Sequence, residues 1–298
     1  MTERDWESLV WGLSNGDCIL LLGDEAAGPS SLGLREQLSA ELRGALKASP
    51  QPDLDFPQIA WLFQSENSRN DLLARVVSFY QRARTSDPHK VHVKLATLPF
   101  HCIVTSSHDE SMSRALASVE GKAPRTAGYQ FKGFQEQLAD AGTPASPLVY
   151  HLFGRTETPR SLVLTEQDLV DFLVAVVAKT PPIPEALLSE LRNPDKMFLF
   201  LGFGVRNWYP RVLLHVLKKE SGNSRSFALE EFPSAAGLDR RVFFYRHGYK
   251  VEVFNTDVAV FVDELCTHSR TLAPSGGSRP AAAPAATGGA RPSAFLCH

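Results

Sequence analysis

The chain has 298 residues, of which 43% are hydrophobic, and a formal net charge of −2, so it can fold as one large domain or two ordinary ones. Its sequence pI near 6.5 gives no overall field that would attract nucleic acid or an anionic membrane, and its apolar runs are too short to span a bilayer. Its four cysteines are scattered without a Cys-x-x-Cys pair, which argues against a zinc ribbon or disulfide framework and favours a cytoplasmic protein without a metal site.

The first predicted elements are those of a nucleotide-binding α/β fold. After an amphipathic helix, the unbroken apolar run Cys18–Leu22 predicts a buried parallel strand. A loop of small residues from Gly23 and a predicted helix over Leu34–Leu46 complete the phosphate side of a doubly wound sheet. The loop lacks G-x-G-x-x-G, and Asp24 and Glu25 stand where backbone amides would approach a diphosphate. It therefore fits an ordinary strand-to-helix turn better than a phosphate site.

A helical insertion follows the first strand and helix. Apolar residues at three-to-four spacing predict helices over 56–63, 72–80 and 89–98. The pair Asn70-Asp71 is the predicted N-cap of the second of these. We expect the aromatic residues on these helices to belong to the core, namely Trp61, Phe63, Phe79 and Tyr80.

The second buried strand, Phe100–Val104, runs into the polar cluster 105–109. Open α/β sheets bind their ligands at this end of a strand, which predicts a binding site here. Asp109 would serve equally well as the N-cap of a helix over Glu110–Ala117. The connection that follows carries one weak strand prediction, at Tyr129–Phe131.

A third apolar run, Val149–Phe153, predicts a buried strand that ends at Gly154. Because side chains alternate along a strand, His151 and Phe153 are expected on the same face. A pocket on that face would receive an imidazole or a phenyl ring. Which of the two lies at the chemical position decides whether the protein is an enzyme.

The second half of the chain continues the alternation of strands and helices. Thr165–Asp168 is a capping box that opens a helix to Val177, and the apolar run Met197–Leu201 feeds a glycine-containing turn at 202–208. Further helices are predicted over 185–191, from that turn to 219, over 240–247 and over 258–268, with strands at 227–229 and 250–254. The pattern predicts a Rossmann-like, doubly wound, mostly parallel sheet with a helical insertion, formed by residues 1–268.

The composition changes after this domain. Residues 269–292 are rich in Ala, Pro, Gly and Ser and are predicted to be a linker, because they cannot bury a core. Residues 293–298, Ser-Ala-Phe-Leu-Cys-His, are predicted to begin the first strand of a second, truncated domain.

These motifs, taken together, resemble the SIR2-like domains of prokaryotic immune proteins. Those domains are related to the sirtuins and hydrolyse NAD. The resemblance covers residues 5–268 and rests on five segments in the family's order. They are Gly23–Ala27, Pro99–Asp109, Tyr150–Gly154, Leu164–Asp168 and Leu199–Asn207. The resemblance implies NAD or ADP-ribose as ligand, without zinc. The implied cofactor-binding positions are Gly23, Glu25, Ala27, Thr105, Ser107, Asp109, Gly202, Gly204 and Asn207.

The departures from the family pattern concern its catalytic residues. Ser107 replaces the Asn of the family's T-N-Y-D segment, and Phe153 replaces the His of its L-H-G segment, the family's base. A phenyl ring cannot accept a proton, and loss of an acid–base group costs roughly 10²–10⁴-fold in rate. No catalytic position is intact, so the sequence resembles a pseudoenzyme. His151 and His108 are candidate substitutes for the missing base.

Residues 293–298 resemble the first strand of a TIR domain. We therefore predict an inactive SIR2-like module that regulates, senses a nucleotide for, or assembles a C-terminal TIR domain of the same polypeptide in bacterial antiphage defence, and that forms a homo-oligomer. The alternative is an active NAD hydrolase with a rearranged site that depletes NAD on infection. A sirtuin-type deacylase is disfavoured, because the zinc ribbon and the base are both absent from the sequence.

Overall fold

The computed structural model describes residues 1–27, 33–47, 53–84, 90–205, 207–217, 224–232 and 238–272. Within these ranges the chain forms a seven-stranded, all-parallel sheet. The strands are β1 Cys18–Leu22, β2 Cys102–Thr105, β3 Arg125–Gly128, β4 Leu148–His151, β5 Met197–Leu201, β6 Ser226–Glu230 and β7 Val251–Asn255. Their order is β3-β4-β2-β1-β5-β6-β7, which confirms the predicted Rossmann-like α/β class.

Helices cover both faces of the sheet. They are α1 Glu3–Ser14, α2 Leu34–Gly44, α3 Phe56–Glu66, α4 Arg69–Ala83, α5 Lys90–Thr97, α6 Ser111–Ala117, α7 Glu166–Ala178, α8 Glu185–Arg192, α9 Tyr209–Leu217, α10 Leu238–Tyr249 and α11 Val258–Leu272. One core lies between the sheet and α7 to α10, and a second lies between the sheet and α1, α5, α6 and α11. Burial on both faces explains why β1 and β5 are apolar at every position.

The switch in strand order lies at β1. The chain proceeds from β1 to β2 on one side, and later returns to place β5 on the other side of β1. In a doubly wound sheet such a switch point opens a crevice at the carboxyl ends of the two strands involved. The site described below therefore begins at the residues that follow β1 and β5.

The insertion α2 to α4 has a small core of its own, closed by residues that precede α7. Phe63, Phe79 and Tyr80 are buried in it, as predicted, whereas Trp61 is 52% exposed. The prediction for Trp61 is wrong because the buried stripe of α3 is Phe56, Ile59, Ala60 and Phe63. Trp61 lies outside that stripe and faces solvent.

Several predicted boundaries also differ from the structure. The N-cap of α4 is Ser68 and not Asn70-Asp71, since the Ser68 hydroxyl accepts from the Asp71 amide. The strand predicted at Tyr129–Phe131 lies four residues earlier, at β3. Helix α11 continues to Leu272, into the predicted linker. The rest of that linker and the start of the predicted TIR domain lie outside the described residues.

No helix in the described part of the chain is both long and apolar enough to cross a membrane. The thiols of Cys18, Cys102 and Cys266 are free and buried, as is typical of core cysteines. Cys297 lies outside the described ranges.

Candidate ligand-binding cleft

The floor of the cleft is formed where the residues after β1 and β5 meet. The Gly23 amide donates to the Leu201 carbonyl at 3.0 Å. A Cβ atom on Gly23 would lie 1.9 Å from the Gly202 carbonyl oxygen, and Gly202 has φ +55°. The two backbones therefore touch, and only glycine fits at position 23.

Above this floor lies a cavity of about 620 Å³, within the roughly 300–1,000 Å³ that is usual for small-molecule sites. The insertion supplies one wall, and α7 together with the loop after β5 supplies the other. Its lining includes Asp24, Arg35, Glu36, Asp55, Phe56, Ser106, Glu166, Val170, Gly202, Gly204, Asn207, Trp208 and Tyr209. A cavity of ligand size therefore lies at the point where the strand order switches.

An ion pair bridges the loop after β1 and the start of α2. The Arg35 guanidinium donates to the Asp24 carboxylate at 2.6 Å, and the Asp24 side chain is only 6% exposed. The guanidinium also lies 4.9 Å from the centre of the Phe56 ring, a cation–π distance. Burial raises the pKa of Asp24, Arg35 acts against that rise, and nearby Asp109 adds to it.

The polar cluster after β2 is largely occupied with holding its own turn. The Thr105 hydroxyl accepts from the Ser107 amide at 3.0 Å, and the Ser107 hydroxyl donates to the Asp109 carboxylate. That carboxylate accepts from the Ser111 amide at 2.7 Å at the start of α6. The N-cap residue of α6 is Glu110, however, so the N-cap predicted at Asp109 is wrong by one residue. Of residues 105–109, Ser106 is the one that lines the cleft.

Both candidate substitute bases are buried and bonded to the backbone. His151 donates from Nδ1 to the Ser107 carbonyl at 2.8 Å, and His108 donates from Nε2 to the Val163 carbonyl at 3.1 Å. The other ring nitrogen of each has no hydrogen-bond partner within the described structure. Burial lowers the pKa of His151, and burial together with Arg35 lowers that of His108 to about 3. Both imidazoles are therefore neutral at pH 7, and neither lines the cleft.

Phe153 lies behind the cleft wall, in the core. Strand β4 ends at His151, and the chain then turns. The Phe153 ring packs edge-on against Phe172, with 5.2 Å between ring centres, and tilted against Tyr209, with 5.8 Å between ring centres. It belongs to the same core as Tyr150, whereas Val149 belongs to the opposite one. The expectation that His151 and Phe153 share a face is therefore wrong, because alternation stops where the strand stops.

The structure brings together only some of the predicted cofactor positions. Gly202, Gly204 and Asn207 line the cleft, and Gly23 forms its floor. Thr105, Ser107 and Asp109 lie beside it, in the turn after β2. The side chains of Glu25 and Ala27 are outside the described structure.

Sequence reasoning missed several residues that line the cleft. Arg35, Phe56, Ser106, Trp208 and Tyr209 all face it. Two sequence features could have predicted them. Trp208-Tyr209 follows a glycine-containing turn directly, and Arg35 is a basic residue at the start of the first helix after the loop that follows β1. For metal binding, the described residues contain no group of three or more His, Cys, Asp or Glu placed to hold an ion.

Comparison with known proteins adds two findings. A sequence model of the SIR2-like domain matches residues 101–254, from the start of β2 to the end of β7. A similar protein is the NAD(+) hydrolase ThsA of Bacillus cereus (strain MSX-D12), which is 28% identical over 149 residues. The alignment covers 50% of this chain and 29% of that protein.

Proposed function

This chain belongs to the SIR2-like domain family, and we propose that it is a non-catalytic member, a regulatory module that senses a nucleotide-derived ligand and does not hydrolyse NAD. The family resemblance assigns the base to the position of Phe153. The relative named as an NAD(+) hydrolase makes NAD the relevant substrate to test.

The observation that carries the proposal is the packing of Phe153. Its side chain is 2% exposed and lies between Phe172 and Tyr209. A phenyl ring there cannot accept a proton, and its neighbours in the core are mostly apolar side chains. Loss of the base alone would lower the rate roughly 10²–10⁴-fold.

One observation favours the alternative, an NAD hydrolase with a rearranged site. Nε2 of His151 is a neutral, unpartnered ring nitrogen within the described structure, which is the form that a general base requires. However, His151 is 1% exposed and does not line the cleft. It would have to leave its bond to Ser107 before it could reach a ligand.

Release of nicotinamide separates the two candidates. The purified chain is incubated with NAD and the product is measured by chromatography, with the Bacillus cereus NAD(+) hydrolase as positive control. We expect no release above the rate without protein. Release that disappears in His151→Ala or in His108→Ala would overturn the proposal and establish the rearranged site.

A matched pair of substitutions tests whether the cleft binds a ligand. Val170 and Val174 are both exposed on α7, at 46% and 62%, but only Val170 lines the cleft. Saturable binding in a calorimeter that is lost in Val170→Trp and retained in Val174→Trp would support a sensor. If no ligand binds, the module is a scaffold.

We also propose, from the two family resemblances, that the module acts on a C-terminal TIR domain in bacterial antiphage defence and works as a homo-oligomer. In a polypeptide that carries this TIR domain, Val170→Trp should change TIR activity while Val174→Trp leaves it unchanged. Equal TIR activity in both variants would argue against regulation through the cleft.

A further inference from the structure

We infer that the cleft takes a flat aromatic ligand that is cationic or neutral, of the class of a nicotinamide nucleoside, and discriminates against a diphosphate. This inference rests on the proposed sensor function, since it assigns the ligand of the same cleft. Three independent features carry it: the neutralised arginine, the acidic rim, and an aromatic wall with a free hydroxyl.

The first feature is that the carboxylate of Asp24 already pairs with Arg35, the arginine of the cleft. Arg35 is the one basic side chain among the described residues that line the cavity. It is held by Asp24 at 2.6 Å and stacked on Phe56 at 4.9 Å. Asp24 offsets the charge of this guanidinium and takes one of its donors, so a phosphate gains less from Arg35 than from an unpaired arginine.

The second feature is the charge of the rim. Glu36, Asp55 and Glu166 are exposed and line the cavity, and within the described structure none of them is paired with a basic side chain. Asp55 and Glu166 both accept from Gln58, at 3.1 Å from its amide and 3.3 Å from its side chain. An amide leaves their charge uncancelled, so the rim repels an anion and attracts a cation.

Glu36 also lies in the first turn of α2. The amino end of a helix would otherwise attract the phosphates of a nucleotide. In this chain that end already carries a negative charge of its own, which adds to the repulsion of a diphosphate.

The third feature is the chemistry of the wall and the floor. Trp208 lines the cleft and is 56% exposed, with Tyr209 set edge-on to it at 6.4 Å. An exposed indole stacks well on a flat ring and attracts a cationic one most strongly. Ser106 lines the cleft from the sheet edge and is 3% exposed. Its hydroxyl has no hydrogen-bond partner among the described residues and is available to an amide or ribose group.

The test compares three ligands that differ in the charge of the ring and in the number of phosphates. Nicotinamide riboside is a cation, nicotinamide mononucleotide adds one phosphate, and ADP-ribose has the diphosphate without the cationic ring. Calorimetry at low and at physiological salt should show nicotinamide riboside binding at least ~10-fold more tightly than ADP-ribose. The difference should shrink with added salt, because the rim charges are exposed and screened.

Two kinds of variant test the physical cause. Glu166→Gln should weaken nicotinamide riboside binding about 2–5-fold. Its control is Glu41→Gln, because Glu41 lies outside this cleft. Asp24→Asn should free Arg35 and tighten ADP-ribose binding ~10-fold, and this gain should vanish in Asp24→Asn combined with Arg35→Met. If the buried Asp24→Asn variant does not fold, Glu166→Lys at the exposed rim should change the preference in the same direction.

Tighter binding of ADP-ribose than of nicotinamide riboside would overturn the inference, as would the binding of none of the three. Arg206, which precedes Asn207 in the sequence, is outside the described residues, so Arg206→Ala is included. ADP-ribose binding that is strong and depends on Arg206 would overturn the inference and identify the phosphate contact. Nicotinamide release from NAD, measured on the same samples, tests the proposed lack of hydrolysis separately.

Discussion

Replacement of Phe153 by alanine tests whether the ring at the family's base position is part of the core. Phe153 is 2% exposed, and its ring centre lies 5.2 Å from that of Phe172 and 5.8 Å from that of Tyr209. Truncation of a buried phenylalanine costs about 3–5 kcal/mol, from lost burial and the cavity that remains. In a domain of this size each kcal/mol lowers the melting temperature about 2–4 °C, so we expect a fall of roughly 6–20 °C.

Urea unfolding followed by circular dichroism measures the effect directly, and an unchanged m-value ensures that the comparison is of native states. Phe134→Ala is the control, because that ring is 95% exposed and its loss should cost less than about 0.5 kcal/mol. A double-mutant cycle with Phe172→Ala isolates the ring–ring contact, for which we expect a coupling of about 0.5–1.5 kcal/mol.

A cost below about 1 kcal/mol for Phe153→Ala, or no coupling to Phe172, would refute the reasoning. It would mean that the Phe153 ring can leave its site in the core, so that its burial could not support the proposal that the site lacks a base. Phe153→His extends the test. An imidazole placed there would be buried among mostly apolar side chains, so we expect lower stability and still no nicotinamide release.

Three further predictions concern stability. His108 is buried, and its pKa is lowered to about 3, so below pH 6.5 the unfolded chain binds a proton that the folded chain does not. This group's contribution to the free energy of unfolding is therefore fully present above pH 6.5 and is lost as the pH falls. In urea titrations, His108→Gln should remove about 2 kcal/mol of the stability loss between pH 8 and pH 5. Gly23→Ala should destabilise by about 1–3 kcal/mol, because its Cβ would meet backbone, whereas Gly44→Ala, in open helical surroundings, should stabilise by up to about 1 kcal/mol; equal effects would refute the backbone contact. Asp168→Ala removes a buried cap and ion pair and should cost about 3 kcal/mol or more. Asp171→Ala, at a half-buried surface ion pair with Lys132, should cost less than about 1 kcal/mol. Similar melting temperatures for the two variants would contradict this.

The central strands could be predicted from sequence because both of their faces are buried. β1 and β5 have the predicted bounds, because each strand begins and ends where its unbroken run of apolar residues does. Strand β3 was misplaced because it was predicted from the aromatic residues Tyr129 and Phe131. Those side chains are core residues beyond the strand, whereas β3 is defined by backbone pairing with β4.

The chemistry of the cleft was harder to predict, because it depends on contacts between distant segments. Pairing of Asp24 with Arg35 spans 11 positions across a loop, and nothing in its spacing distinguishes the arginine from a surface residue. The environment of Phe153 depends on a turn at the end of β4, which an apolar sequence run does not reveal. Period-two alternation predicts faces only while the strand continues.

Two of the positions on which our proposals rest, Phe153 and Asp24, lie in separate parts of the structure. Phe153 lies in the core beneath α7 and α9, whereas Asp24 lies in the loop after β1, bound to the insertion. No direct contact joins Phe153 to Asp24 within the described structure, although Tyr209 lies between the Phe153 ring and Arg35, so we expect their effects to be largely independent. Restoring a base at position 153 would leave the diphosphate repelled, and freeing Arg35 with Asp24→Asn would bind an anion without a group to act on it. We therefore expect neither Phe153→His nor Asp24→Asn alone to release nicotinamide. Release by either single variant would show that one of these positions did not limit the chemistry.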